Sequence, residues 1–234
     1  MPTLDRAPRL WITIGVPNVV ENRGATYWPL SLDAMPPIGR AMSGTLHWLI
    51  DSPAHDRSLQ RGPDDPAERD ADGAGLQAVA AALNLPSAFR RFIDDPEPRR
   101  HVRSATACYL DLAKFAVRTD DGGTLVHFLS DQQWVLHWLL YVGPDDSEAV
   151  VVSSTPLGFD DGETAPVREL RRESAPEIVA VCSDSFEEFL YRLWIENEIW
   201  FSLVQDVVEL VMLPGELQAY AAAYPRDTAS WPWD

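Results

Sequence analysis

Apolar and polar positions along the chain switch period several times, and each switch predicts an element. Residues 9 to 16, Arg-Leu-Trp-Ile-Thr-Ile-Gly-Val, alternate with β-branched and aromatic side chains and read as a strand. Leu46 to Ile50 is a second candidate strand, and Pro29, Pro36, Pro37, Gly39 and Gly44 favour an irregular connection between the two. Asp51 to Gly75 is rich in Asp, Arg, Pro and Gly with almost no large apolar residue, the composition of a flexible, exposed, acidic linker. Leu76–Leu83 is Ala-rich and helical in pattern, and a short helix follows from Pro86 to about Ile93.

The densest pattern comes next. Lys114–Arg118, Leu125–Ser130, Gln133–Val142 and Glu148–Ser153 are strand-like runs separated by Asp120-Asp121-Gly122-Gly123, Asp131-Gln132 and Gly143-Pro144-Asp145-Asp146. Such turns between such runs predict an antiparallel meander. The third run is apolar on both faces, so it should be a central strand covered on both sides. Glu177–Cys182 predicts a fifth strand. Ser185 and Glu188 then have capping-box spacing. Phe186, Phe189, Leu190, Leu193, Trp200, Val204, Val207, Val208 and Val211 recur with helical period, a wide stripe expected to face the sheet until Pro214 and Gly215 end the helix or set off a last one at Glu216–Ala223.

The fold class predicted is α+β, a mostly antiparallel sheet with a central meander over about 106–153, backed by helices. Its organisation reads as an N-terminal strand-containing appendage (1–50), the linker (51–75) and a main domain (76–234). With 46% hydrophobic residues and nine Trp in 234 residues, the chain has apolar surface enough for a sizeable core. The N-terminus has no apolar run of signal-peptide length and no window suits a membrane span, which predicts a cytoplasmic protein. Cys108 and Cys182 lack metal or redox spacing and read as buried thiols.

Charge changes the picture further. The net charge is −17, distributed as +1 over residues 1–50, −4 over 51–75, +2 over 76–120, −7 over 121–175 and −9 over 176–234. Such a field repels nucleic acid and anionic lipid and favours basic protein partners, although acidity also serves solubility alone. Arg90, Arg91, Arg99, Arg100, His101 and Arg103 form a basic cluster suited to pairing with the acidic half.

Chemistry-bearing motifs are sparse. The chain holds no GxSxG elbow, Walker A loop, GxGxxG or HExxH. Glu196 and Glu198, two apart, do not share a helix face and make no carboxylate dyad. His127 and His137 lie on neighbouring predicted strands with Asp131 at the turn between them. A metal site there would need both rings on one face with a third ligand converging, whereas a histidine on an apolar strand more often just satisfies its hydrogen bonds. Asn197, near the centre of the long helix's stripe, must find partners for its amide and so either fixes helix to sheet or points into a pocket.

Leu85-Pro86-Ser87-Ala88-Phe89-Arg90-Arg91-Phe92-Ile93 resembles the entry helix of the SUKH superfamily. His127-Phe128-Leu129-Ser130-Asp131-Gln132-Gln133, Val135–Tyr141 and Ser185-Phe186-Glu187-Glu188-Phe189-Leu190 are similar to its central hairpin and C-terminal helix start. The resemblance covers about residues 76–213. It implies an α+β domain of the kind found in immunity proteins that neutralise toxins, often nucleases, and in a fungal regulator of cell-wall synthesis, with no shared catalytic residues. The function expected is therefore a non-enzymatic protein-binding module that meets a basic partner through an acidic surface, with Asp145, Asp146, Glu148, Asp160, Asp161 and Glu163 as candidate contacts and no cofactor or metal. The competing reading is a hydrolase or small-molecule binder with a site near His127, Asp131, His137 and Asn197. A third is a scaffold that docks through Trp11, Trp28 and Trp48, which equally well pack into the core.

Overall fold

Short apolar runs punctuated by Asp and Gly leave the chain few choices but to turn back on itself, and it does so repeatedly. A computed structural model describes the chain apart from residues 1–3, 5–6, 18–25, 57, 60–65, 158–164, 170–177, 228 and 230–234, with the backbone alone described over 66–73 and 178–179. An N-terminal hairpin, β1 (Leu10–Thr13) and β2 (Trp28–Ser31), precedes helices α1 (His47–Ile50), α2 (Pro66–Ala82), α3 (Ser87–Asp94) and α4 (Pro96–Arg99). Then come β3 (Tyr109–Leu110), β4 (Ala116–Arg118), β5 (Thr124–Ser130), β6 (His137–Val142), β7 (Glu148–Ser153), β8 (Val167–Glu169) and β9 (Ile178–Ser183). Helix α5 (Phe186–Trp200) and helix α6 (Gly215–Ala222) complete the order.

The molecule is α+β. Its main sheet runs β8-β4-β5-β6-β7-β9, with β3 pairing β5, and every pairing is antiparallel except β4 with β8. Turn chemistry sets the register. Between β4 and β5, Asp121 Oδ1 accepts both the Thr119 hydroxyl and the Gly123 amide, and Gly122 takes a φ of +85° that a glycine adopts without steric cost. As its two apolar faces require, β6 is covered on both sides. Trp138 and Leu140 join the large core beneath α3 and α5, and Leu139 joins a smaller cluster with Phe115, Val117, Leu125, Val151, Leu157 and Val181.

Helix and sheet meet through aromatic rings. Phe89 of α3, Phe128 of β5 and Phe186 and Phe189 of α5 stack edge to face at centroid distances of 5.0–5.6 Å. Each is buried, an arrangement in which one Phe contributes about 2–3 kcal/mol by area alone. The Ser185 hydroxyl accepts the Glu188 amide at 3.2 Å and starts α5. Only half of the capping box forms, because the Ser185 amide turns to the Ser183 hydroxyl instead of the Glu188 carboxylate.

Several expectations are corrected. Leu46 takes a φ of +55° and Leu46–Ile50 enters a helical turn, not a strand. Residues 133–136 leave the sheet, so β6 begins at His137. The segment expected as linker is folded over its described residues. Leu59 is buried, the His55 and Leu59 amides donate to Arg100 and Val102, and α2 begins at Pro66 because the Ala-rich helical run extends backwards to a proline that suits a helix start. Nor is the N-terminal segment an appendage over its described residues. The Val181 amide donates to Pro8 along β9, and Trp11 and Trp48 are buried in the same core as Phe189, which removes them as an exposed docking patch. Among the described residues no helix is long and apolar enough to cross a membrane.

Candidate functional site

Two histidines reach one point because β5 carries an irregularity. Regular alternation would send His127 and Ser130 to opposite faces, but the pairing of β5 with β6 shifts between His127 and Leu129 and lets both face one way. Ser130 pairs with His137 across the hairpin and with Tyr109 on the other edge. Beyond β3 the Asp111 amide still donates to Phe128, which holds Asp111 beside them. The Ser130 hydroxyl is the hub, 2.6 Å from Asp111 Oδ2, 2.7 Å from His137 Nδ1 and 3.0 Å from His127 Nε2.

A hydroxyl has one proton to give and two lone pairs. Donating to Asp111, Ser130 accepts from both imidazoles, which places a proton on His127 Nε2 and on His137 Nδ1. His127 Nδ1 then accepts the Leu157 amide at 3.3 Å, and Trp134 Nε1 donates a further bond to Asp111 Oδ2 at 2.9 Å. His137 Nε2 is left as a buried lone pair with no hydrogen-bond partner among the described residues. Burial holds His127 down to about 4 and also lowers His137, while the Asp111 carboxylate pulls both back up. Both rings are therefore neutral at neutral pH.

This is not an activated nucleophile. Ser130 is wholly buried, with its proton turned to the Asp111 carboxylate and both imidazoles against its oxygen, so the hydroxyl has no access to a substrate. Asp131, the carboxylate expected near the histidines, is used otherwise. Its Oδ1 accepts the amides of Val135 and Leu136 and its Oδ2 that of Gln133, so it caps the turn. Asn197 accepts the Ala105 amide and donates to Leu193, which ties α5 to the segment ahead of β3, and it also lines a small cavity with Thr13, Tyr27 and Trp138. Asp111 is the member sequence reasoning missed. Its one signal is a lone acid between Leu110 and Leu112.

Of the expected acidic contacts, Asp145 and Asp146 are exposed on the turn between β6 and β7. Asp145 is bound to Ser147 and Asp146 to Asn84, and Glu148 is half-buried against the start of α5, where the Phe186 amide faces it. Burial raises the Glu148 carboxyl. Asp160, Asp161 and Glu163 lie outside the described residues. Of the basic cluster, Arg103 does pair with the C-terminal half, gripping Glu198 with two bonds of 2.9 Å.

The largest departure follows α5. After Trp200 the helix widens into a π-helical stretch, Phe201–Gln205, and breaks at Asp206. Val207 takes a φ of +55°, rare for a β-branched residue, and the chain continues through a short 3-10 turn at Leu210–Met212. Three residues expected to face the sheet consequently face solvent, Val204 at 47% exposed, Val207 at 80% and Val211 at 68%, and Met212 beside them is 71% exposed. Comparison with family models, curated proteins and solved structures finds no match to this chain.

Proposed function

We propose that the chain is a protein-binding module that holds a basic partner protein through the segment 204–212. One observation carries this reading: four apolar side chains, Val204, Val207, Val211 and Met212, are turned out of the core within nine residues. Apolar residues clustered on a surface rimmed by polar ones mark interaction sites. Here the rim is acidic, with Asp206 and Glu209 exposed and no Lys, Arg or His between Arg192 and Arg226. A partner with apolar anchors inside a basic border complements it. The strained Val207 and the π-helical turns fit a segment kept for contact, since both devices concentrate at functional sites.

The resemblance to the SUKH superfamily supports an immunity or regulatory role, with the partner a toxin of basic, nuclease type or a regulated protein. In this reading the chain neutralises by occupancy and turns over no substrate. Wild-type chain and a Val204→Ser, Val207→Ser, Val211→Ser, Met212→Ser variant would be compared for retention of a basic partner present in stoichiometric amount, at low and moderate salt. The expected result is retention by the wild type that weakens with salt, at least about tenfold weaker binding by the folded variant, and loss of the partner's own activity in the wild-type complex. Undiminished retention by the folded variant would sink the proposal. So would self-association that the substitutions abolish, because the face would then belong to a second copy.

A further inference from the structure

The buried hub has the donor set of a metal centre, and the inference stands independently of the docking face. We propose that Asp111, His127 and His137 form a site for a divalent first-row transition-metal ion, zinc in the simplest case, which staples β3, β5 and β6 at the base of the turn carrying Trp134.

One ligand atom from each residue lies within 4.8 Å of the others, and all three residues are buried. His127 Nε2 and Asp111 Oδ2 are 3.8 Å apart. Ligands at 2.0–2.2 Å around tetrahedral zinc stand about 3.4 Å from one another, so the pair closes on an ion by a few tenths of an ångström. Ser130 Oγ, within 3.0 Å of a nitrogen or oxygen of each, marks where the donors converge and becomes a neighbour or fourth donor once an ion takes over the bridging.

The surroundings of His127 are those a metal histidine uses. A ligating imidazole gives its other N–H to a fixed acceptor. His127 Nδ1 lies 3.1 Å from the Leu157 carbonyl as well as facing the Leu157 amide, so the ring can exchange the tautomer that serves Ser130 for the one that frees Nε2 for metal. The Trp134 indole orients the Asp111 carboxylate. His137 turns Nδ1 to the hub, 2.7 Å from Ser130 Oγ, which makes Nδ1 its ligating nitrogen, while its Nε2 has no hydrogen-bond partner among the described residues. Two imidazoles and one carboxylate suit zinc, cobalt or iron(II), while calcium and magnesium prefer oxygen alone.

The test uses untagged full chain stripped with chelator and titrated with cobalt(II), then zinc(II), following visible absorption, ion content and melting temperature. One ion per chain is expected, with a cobalt spectrum of nitrogen and oxygen ligation, displacement by zinc and a raised melting temperature. Asp111→Asn and His137→Gln should each weaken uptake by more than about tenfold, Trp134→Phe by about tenfold, and Asp145→Asn not at all. Absence of saturable one-to-one uptake at micromolar ion overturns the proposal, as does uptake that folded Asp111→Asn and His137→Gln retain in full. Should those variants fail to fold, the wild-type cobalt spectrum decides: ligation by nitrogen and oxygen at one ion per chain supports the site, and its absence overturns it.

Discussion

Asp131 shows what a single buried carboxylate does when its partners are backbone amides. Both oxygens are occupied by the N–H groups of Gln133, Val135 and Leu136, and the turn they close holds Trp134 at a φ of +60°. Removing the carboxylate leaves three amides to find partners and the turn with only its backbone bonds, Trp134 amide to Asp131 carbonyl and Asp131 amide to Leu136 carbonyl. Asp131→Ala should lower unfolding stability by about 3 kcal/mol in urea titration, and Asp131→Asn, which keeps one acceptor, by roughly half as much. A loss below about 1 kcal/mol would show that the hairpin holds the turn without it. The sequence did place Asp131 in this turn, because Asp-Gln between two apolar runs is turn chemistry. It could not reveal that the carboxylate beside the histidines is Asp111, since that juxtaposition depends on β3 pairing with the far end of β5 and on an irregularity in β5 that alternation does not encode. His127 and His137 were legible as neighbours because hairpin pairing is local, and their partner was not.

Elements were legible where periodicity and termini agreed. Pro86 ahead of α3, Ser185 ahead of α5 and the Gly- and Asp-rich turns between β4 and β5 and between β6 and β7 each fixed a boundary close to the observed one. The end of α5 was not legible, for a physical reason. Val204, Val207, Val208 and Val211 continue the period of Phe189 and Leu193, and period alone does not distinguish a side chain buried in its own core from one reserved for another molecule. β-Branching was the available hint, since three valines within five residues favour leaving the helix. The left-handed Val207 makes this measurable. Its side chain is 80% exposed, so replacing it removes little packing, while a β-branched residue in this conformation costs about 1–2 kcal/mol. Val207→Asn should therefore raise the unfolding free energy by about 1 kcal/mol and, on the proposed docking face, weaken the partner. A variant that is less stable than wild type would mean that the Val207 side chain holds its segment in place.

At the scale of the whole molecule, the ends of the chain are joined through Glu196. Its Oε1 accepts the Trp11 indole at 2.8 Å and the Tyr220 phenol at 2.9 Å, and its Oε2 meets the Thr13 hydroxyl, so β1, α5 and α6 share one carboxyl group. Burial raises the Glu196 carboxyl, against the hydrogen bonds of Thr13, Trp11 and Tyr220 and the nearby Arg192 charge. A group whose pKa is higher folded than unfolded binds its proton more tightly in the folded state. The stability this gives is complete below the ordinary glutamate value and is lost as pH rises through the raised one. Protonated, Glu196 gives its O–H to Thr13 while Oε1 still accepts from Trp11 and Tyr220, and a glutamine reproduces that pattern with its amide. Glu196→Gln should accordingly match the wild type in mild acid and become progressively more stable than it toward pH 8, read as the difference between the two melting temperatures so that other titrating groups cancel. Glu196→Leu should cost about 3 kcal/mol in mild acid, because the Trp11 and Tyr220 donors are left buried and unpaired, and less toward pH 8, where the wild type has lost the stability of its protonated carboxyl. If the glutamine variant instead loses most at alkaline pH, the ionised carboxylate is what joins the two ends, and its three donors outweigh the cost of burying the charge.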